Sequence, residues 1–274
     1  MENLVYHYTD ETAFKHIVKE NINLMATRYD FLNDPHEQTW AKEVVLKHCI
    51  DNPQMGGLSK VQILRWFAKY SYILSLCDKN DYRTMWRFYG KDGMGVTLAF
   101  DADIFEEESI KNSQKDPQHS FDVYDRVIYS SKKKIDFAIS YWLHRGVFLR
   151  NPNDPADEMM NLCAFIKDED FDIEHEMRYA RIRENASITM KYNPSSVDSI
   201  DYEEHEDDKD VLYRKRNGSD KQIPYLMLKF PPQLLKKVTI GYQIDFEEKK
   251  QEFRTFLDRF GDLYKHVVIE KSLL

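Results

Sequence analysis

The sharpest chemical pattern in the sequence is the run Glu174-His175-Glu176-Met177-Arg178. On an extended strand successive side chains alternate, so Glu174, Glu176 and Arg178 are expected on one side. Two carboxylates beside a cation suit transfer at a sugar. One carboxylate can bind a hydroxyl while stabilising an oxocarbenium-like transition state. The same row also reads as an exposed ladder of ion pairs, which contributes little to stability. Ala180 and Ile182 continue that side with apolar groups, which favours a cleft over open surface.

A second candidate lies near the start of the chain, in Tyr6-His7-Tyr8-Thr9. Strand alternation puts His7 and Thr9 on one face and Tyr6 and Tyr8 on the other. A His at a strand end can offer a ring nitrogen to a ligand, and the amides of a following helix start favour anions. It can equally be a core-edge residue hydrogen-bonded to backbone. Asn33-Asp34-Pro35-His36-Glu37 concentrates polar groups in one turn. Asp34 as N-cap with Glu37 three positions on is a capping box in all but the Ser/Thr. His36-Glu37 has no HExxH context and no matching second cluster, so no metal site is expected. His7, His16, His36 and Cys77 assemble no convincing triad or Cys/His pair.

These residues must be positioned by elements the composition can support. The chain has 274 residues, 42% of them hydrophobic and 31% charged, enough apolar material for a packed core. One domain over residues 1–274 is expected, with Asp201–Asp210 at the centre of a mobile acidic insertion around 199–220. Neither GxGxxG nor GxxxxGK[ST] occurs, which disfavours a Rossmann or P-loop nucleotide site. A net charge of -8 withholds the broad attraction that dominates nucleic-acid affinity. The basic runs Lys132-Lys133-Lys134 and Arg214-Lys215-Arg216 read as solvated surface. Three widely spaced cysteines make neither a disulfide framework nor a zinc motif, which fits a reducing cytoplasm. Nothing resembles a leader or a span of ~20 apolar residues, so no membrane partner is expected.

Periodicity predicts strands at Leu4–Tyr8, Leu24–Ala26, Tyr72–Leu76, Gly95–Phe100, Val123–Tyr129, Glu174–Arg183, Ile223–Phe230, Val238–Ile240 and His266–Ile269. Helices are predicted after Thr9 or Asp10, after Pro35, after Ser59, and over Met85–Tyr89 with Asp81 as cap and Gly90 as stop. Further helices are predicted around Ile135–Leu143, over Pro155–Ile166 and over Phe246–Phe260. Glu106–Ser120 reads as a loop. Strands and helices alternate without a βαβ rhythm, which argues for α+β.

Several segments taken together resemble the bacterial domain-of-unknown-function 2971 family, itself expected to be related to the ADP-ribosyltransferase fold. They are Tyr6-His7-Tyr8-Thr9, Leu32–Glu37, Leu74–Cys77, Met85–Gly90, Gly95–Asp101, Glu174–Tyr179 and Val238–Gly241, in order along nearly the whole chain. The resemblance implies split mixed and antiparallel sheets flanked by helices, and an NAD-dependent transfer of ADP-ribose to a macromolecular acceptor. A role in bacterial conflict or phage defence goes with it; a catalytically inactive nucleotide-sensing or interaction module of the same fold is the alternative. The resemblance implies NAD contacts from His7, with Tyr8 and Thr9 beside it, and from Arg178. It implies Glu176 as the catalytic carboxylate and Glu174 as its neighbour orienting an acceptor. Tyr29, Trp86 and Tyr89 are the candidates to stack on nicotinamide, and the sequence does not choose among them.

Overall fold

In the computed structural model the described residues are 2–32, 41, 43, 69–115, 120–131, 163–184, 186–189, 201–204, 209–215 and 220–274. The first half gives β1 (Leu4–Thr9), α1 (Glu11–Ile17), β2 (Ile22–Arg28), β3 (Lys69–Cys77), α2 (Arg83–Phe88), β4 (Val96–Asp101), α3 (Ala102–Lys115), β5 (Ser120–Arg126) and β6 (Ile128–Ser130). The second gives β7 (Ile166–Asp168), β8 (Glu176–Glu184), β9 (Ala186–Thr189), β10 (Asp201–Glu204), β11 (Val211–Lys215), β12 (Gln222–Phe230), β13 (Leu235–Ile240), α4 (Phe246–Asp258) and β14 (Val268–Lys271). The fold is α+β, as the irregular alternation of elements predicts.

One ten-stranded sheet dominates, and its pairs are antiparallel except for β13 with β14. Its pivot is β3. One edge of β3 is covered along its whole length by β8, from Lys69 opposite Glu184 to Cys77 opposite Glu176. The other edge is divided. β1 meets it at Cys77, opposite Tyr6, and β2 meets it at Ile73 and Tyr72, opposite Thr27 and Arg28. Leu74, Ser75 and Leu76 lie between these two contacts, where the sheet parts into a β1–β4–β13–β14 arm and a β2–β12–β11 arm. β5 extends the sheet beyond β8.

The main core lies on one face, under α1, α3 and α4. There Phe14 of α1 packs 4.8 Å from Phe253 of α4, and Phe105 of α3 packs 4.9 Å from Phe230 of β12. Leu74, Leu76, Leu98 and Phe100 supply the sheet side of this core. Burying each such side chain contributes roughly 1.5–3 kcal/mol. The other face carries a smaller cluster of Tyr8, Cys77, Met85 and Trp86, where α2 lies over the sheet. Asp10 caps α1 by accepting from the Ala13 amide, and Asp245 caps α4 by accepting from Glu248.

The structure departs from the predicted elements at four places. Residues 102–115, read as mostly loop, form α3. Its buried face carries Ser109 and Ser113 as well as Phe105, so the apolar period is diluted. The Ser113 hydroxyl serves β5 directly, accepting from the Asp122 amide and donating to the Asp122 carbonyl, each at 2.9 Å. Asp81 does not cap α2; Tyr82 occupies that position, and Asp81 is used elsewhere. Glu174 ends a 3-10 turn instead of starting the late strand, which begins at Glu176. Parts of the acidic stretch are strands: β10 pairs with β9, and β11 pairs with β12. The predicted helices after Pro35, after Ser59 and around Ile135–Leu143, the turn Asn33–Glu37 and most of Pro155–Ile166 lie outside the described residues. Among the described residues no helix is long and apolar enough to cross a membrane.

Candidate functional site

Glu176 opens β8 opposite Cys77, and Arg178 follows on the same face opposite Ser75. Arg178 grips the carboxylate with both arms of its fork, Nε to Oε1 at 2.7 Å and Nη2 to Oε2 at 2.9 Å. Its Nη1 donates to the Ala164 carbonyl at 2.6 Å, which fixes the guanidinium plane. Lys167 of β7 donates to Glu176 at 3.3 Å and to Glu174 at 2.6 Å. Tyr89, just past α2, donates its hydroxyl to Glu174 at 3.2 Å. Two carboxylates and two cations thus balance in a network with Glu176 and Arg178 buried, while Tyr129 accepts from the Glu176 amide at 2.8 Å.

Burial works against the charge on Glu176, but Arg178, Lys167 and a hydrogen bond from Ser75 outweigh it and hold its carboxyl well below the usual range. The group is a carboxylate at neutral pH. Burial, then Glu174, push the Tyr89 hydroxyl up to about 12, so it remains a donor. Burial also pushes the Cys77 thiol up to about 12, which leaves no thiolate for nucleophilic work there.

The predicted site residues divide into two groups. Glu174, Glu176, Arg178, Tyr89, Trp86 and Tyr8 gather on the α2 face of the sheet. Within that group Trp86 and Tyr8 are buried supports. Their rings meet edge to face at 5.3 Å, Trp86 Nε1 donates to Asp81 at 2.7 Å, and the Tyr8 hydroxyl donates to the Lys79 carbonyl and accepts from the Tyr82 amide. Gly90 allows Trp86 to lie this close, since a Cβ there would stand 2.4 Å from the indole. Tyr89 is the exposed aromatic. Tyr29 sits after β2 beside Tyr70, away from this cluster.

His7 and Thr9 pair with Leu98 and Val96, two residues of the main core, so they project to the opposite face from Glu176. Ser75 lies on β3 opposite Arg178, two residues before Cys77, which pairs with both Tyr6 of β1 and Glu176 of β8. Ser75 is itself exposed and lies where the two arms of the sheet part. Burial lowers the His7 pKa against the opposing pull of the Ser75 carbonyl, which favours the neutral ring.

Sequence reasoning missed Ser75, Lys167 and Tyr129. Ser75 had a signal, as the single polar residue within Tyr72–Leu76. Lys167 and Tyr129 reach Glu176 only through long-range folding and carry no local sign. Among the described residues no group of three or more His, Cys, Asp or Glu side chains is arranged to hold a metal ion. No curated protein and no solved structure matches the chain. Residues 85–179, a stretch holding Trp86, Tyr89, Glu174, Glu176 and Arg178 but not His7, match the model of a family described as protein of unknown function, DUF2971.

Proposed function

We propose that the chain is an NAD-dependent ADP-ribosyltransferase-like protein, which cleaves the nicotinamide–ribose bond and passes ADP-ribose to a macromolecular acceptor or to water. The observation that carries this reading is the three-strand juxtaposition around Ser75. β1, which carries His7, β3 and β8, which carries Glu176, are neighbours in that order, and Arg178 and Lys167 hold an ionised Glu176 beside Ser75 where the sheet parts. In this reading the ionised Glu176 stabilises the oxocarbenium that forms as nicotinamide leaves with the C–N electron pair. Arg178 and Lys167 keep it ionised and aimed. Tyr89 is the aromatic free enough of the core to flank a nicotinamide ring, with Glu174 beneath it. The split arms of the sheet, with helices on both faces, support the ADP-ribosyltransferase-like fold.

A second reading, a catalytically inactive nucleotide-sensing or interaction module of the same fold, is favoured by one observation. Glu176 is only 4% exposed, and Arg178 engages both of its oxygens. Incubation with NAD labelled in the nicotinamide separates the two. The enzyme reading expects nicotinamide release that falls by roughly 10²–10³-fold in a folded Glu176→Gln variant that still binds NAD. Binding without release in both proteins gives the module, and absence of binding removes NAD from either reading.

A further inference from the structure

We propose that His175, backed by Asp78, is the proton-transfer group of this site and takes the proton of the hydroxyl acceptor; the inference rests on the ADP-ribosyl-transfer reading above. His175 stands between Glu174 and Glu176 in a conformation that L residues seldom adopt, with φ 46° and ψ 47°. Such strain is retained where the surroundings over-determine it, and it turns this side chain out of the alternation of β8. Three contacts fix it. The His175 amide donates to the Asp172 carbonyl at 3.2 Å, the His175 carbonyl accepts from the Asp78 amide at 3.0 Å, and the ring meets Tyr82 edge on at 5.6 Å.

The ring Nδ1 lies 3.8 Å from Asp78 Oδ1. That oxygen is buried and has no hydrogen-bond partner, whereas Oδ2 is held by Arg126 at 2.5 Å. A buried carboxylate oxygen without a donor costs free energy, and the nearest ring nitrogen that can supply one is Nδ1. Slight rotation of the imidazole closes that bond. It fixes the tautomer with the proton on Nδ1 and leaves Nε2 as a base on a side chain that is 38% exposed. This is the carboxylate–imidazole arrangement of general base catalysis, assembled from the end of β3, the end of β5 and the turn into β8.

The charged groups around the pair are Arg126 and Lys79, both against Asp78. Glu174 and Glu176 precede and follow His175 and are drawn to Lys167 instead. In the step, the C–N bond to nicotinamide breaks with its electron pair on the nicotinamide. The acceptor oxygen bonds to the ribose carbon, and the acceptor proton passes to His175 Nε2 and then to solvent. Glu176 supplies charge and His175 supplies the base, so neither carboxylate has to serve both roles.

The test uses His175→Asn, because Asn tolerates this backbone conformation, and Asp78→Asn, which keeps the shape of the half-buried side chain. NAD binding is measured by equilibrium dialysis and turnover by nicotinamide release across pH. The inference expects NAD affinity unchanged within twofold in both variants. It expects kcat to fall about 10²-fold in His175→Asn, with loss of the acid limb of the pH profile. Asp78→Asn should fall less. Release by His175→Asn at the wild-type rate and with the wild-type pH profile overturns this inference alone. Absence of release from the wild-type protein overturns the transfer reading and this inference with it.

Discussion

The buried pair at the head of β8 makes the most demanding prediction. Arg178→Met removes a bidentate partner from Glu176 and leaves the carboxylate with Lys167, at 3.3 Å, and Ser75. Breaking a buried pair from one side costs about 3–5 kcal/mol, because an uncompensated charge stays behind. The Ala164 carbonyl loses its donor as well, worth about another 1 kcal/mol. Glu176→Gln alone should cost roughly as much, since Arg178 is then the stranded charge. The double variant removes both charges and should cost well under the sum of the two, a coupling of at least ~2 kcal/mol. Urea denaturation of the four proteins at pH 7 gives that coupling directly. The acid dependence is a second reading of the same pair. The folded carboxyl lies below its unfolded value, so its stabilisation is complete above the unfolded value and drains away as pH falls through it toward the folded one. Glu176→Gln should therefore flatten the loss of stability below about pH 4.5. Additive single costs, or an unchanged acid limb, would refute the account of Glu176 as an ionised, Arg-held group.

Two further perturbations test the scaffold. Asp81→Ala should cost about 1–3 kcal/mol and shift the fluorescence of Trp86, because Asp81 accepts from Trp86 Nε1, the Ser272 hydroxyl and the Leu273 amide; an unshifted thermal midpoint would deny that this residue ties α2 to the segment after β14. Gly95→Ala should cost roughly 1–3 kcal/mol or more by overpacking, since a Cβ there would stand 2.3 Å from the Thr9 carbonyl and 2.8 Å from that of Gly90; wild-type stability would mean that the loop joining α2 to β4 shifts freely.

The legible parts of the fold were those with a strong period and local punctuation. Val96–Phe100 is a buried run, and Ile223–Phe230 sets buried Ile223, Leu226, Leu228 and Phe230 among less buried positions. Phe253 and Leu257 mark the face of α4, and Asp10 starts α1 where capping chemistry requires it. Helix α3 escaped because two of its buried positions are serines, Ser109 bonding the Glu106 carbonyl of its own helix and Ser113 serving backbone groups of β5, a use of a hydroxyl that hydropathy counts as exposure. The site was half legible. Its carboxylates and Arg178 stand together in the chain, but the turn at His175 breaks the simple alternation that put Glu174 on the strand. Lys167, Ser75 and Asp78 join them only through pairing between distant strands, which no local pattern encodes.

The divided edge of β3 also sets the order in which the molecule can be built. Its one side accepts β1 and β2, which precede it in the chain, while its other side waits for β8. About a hundred residues separate Cys77 from its partner Glu176, roughly 5–20 s of synthesis at typical rates. Through that interval the nascent β3 presents a full row of unpaired amides and carbonyls, the kind of template on which chains associate wrongly. Ser71 and Ser75 interrupt its apolar outer face. Such polar interruptions make the waiting strand a poorer template for the wrong partner. Ser75, at the parting of the sheet beside Arg178, is thus also one of the residues that keep the central strand from the wrong partner until β8 arrives.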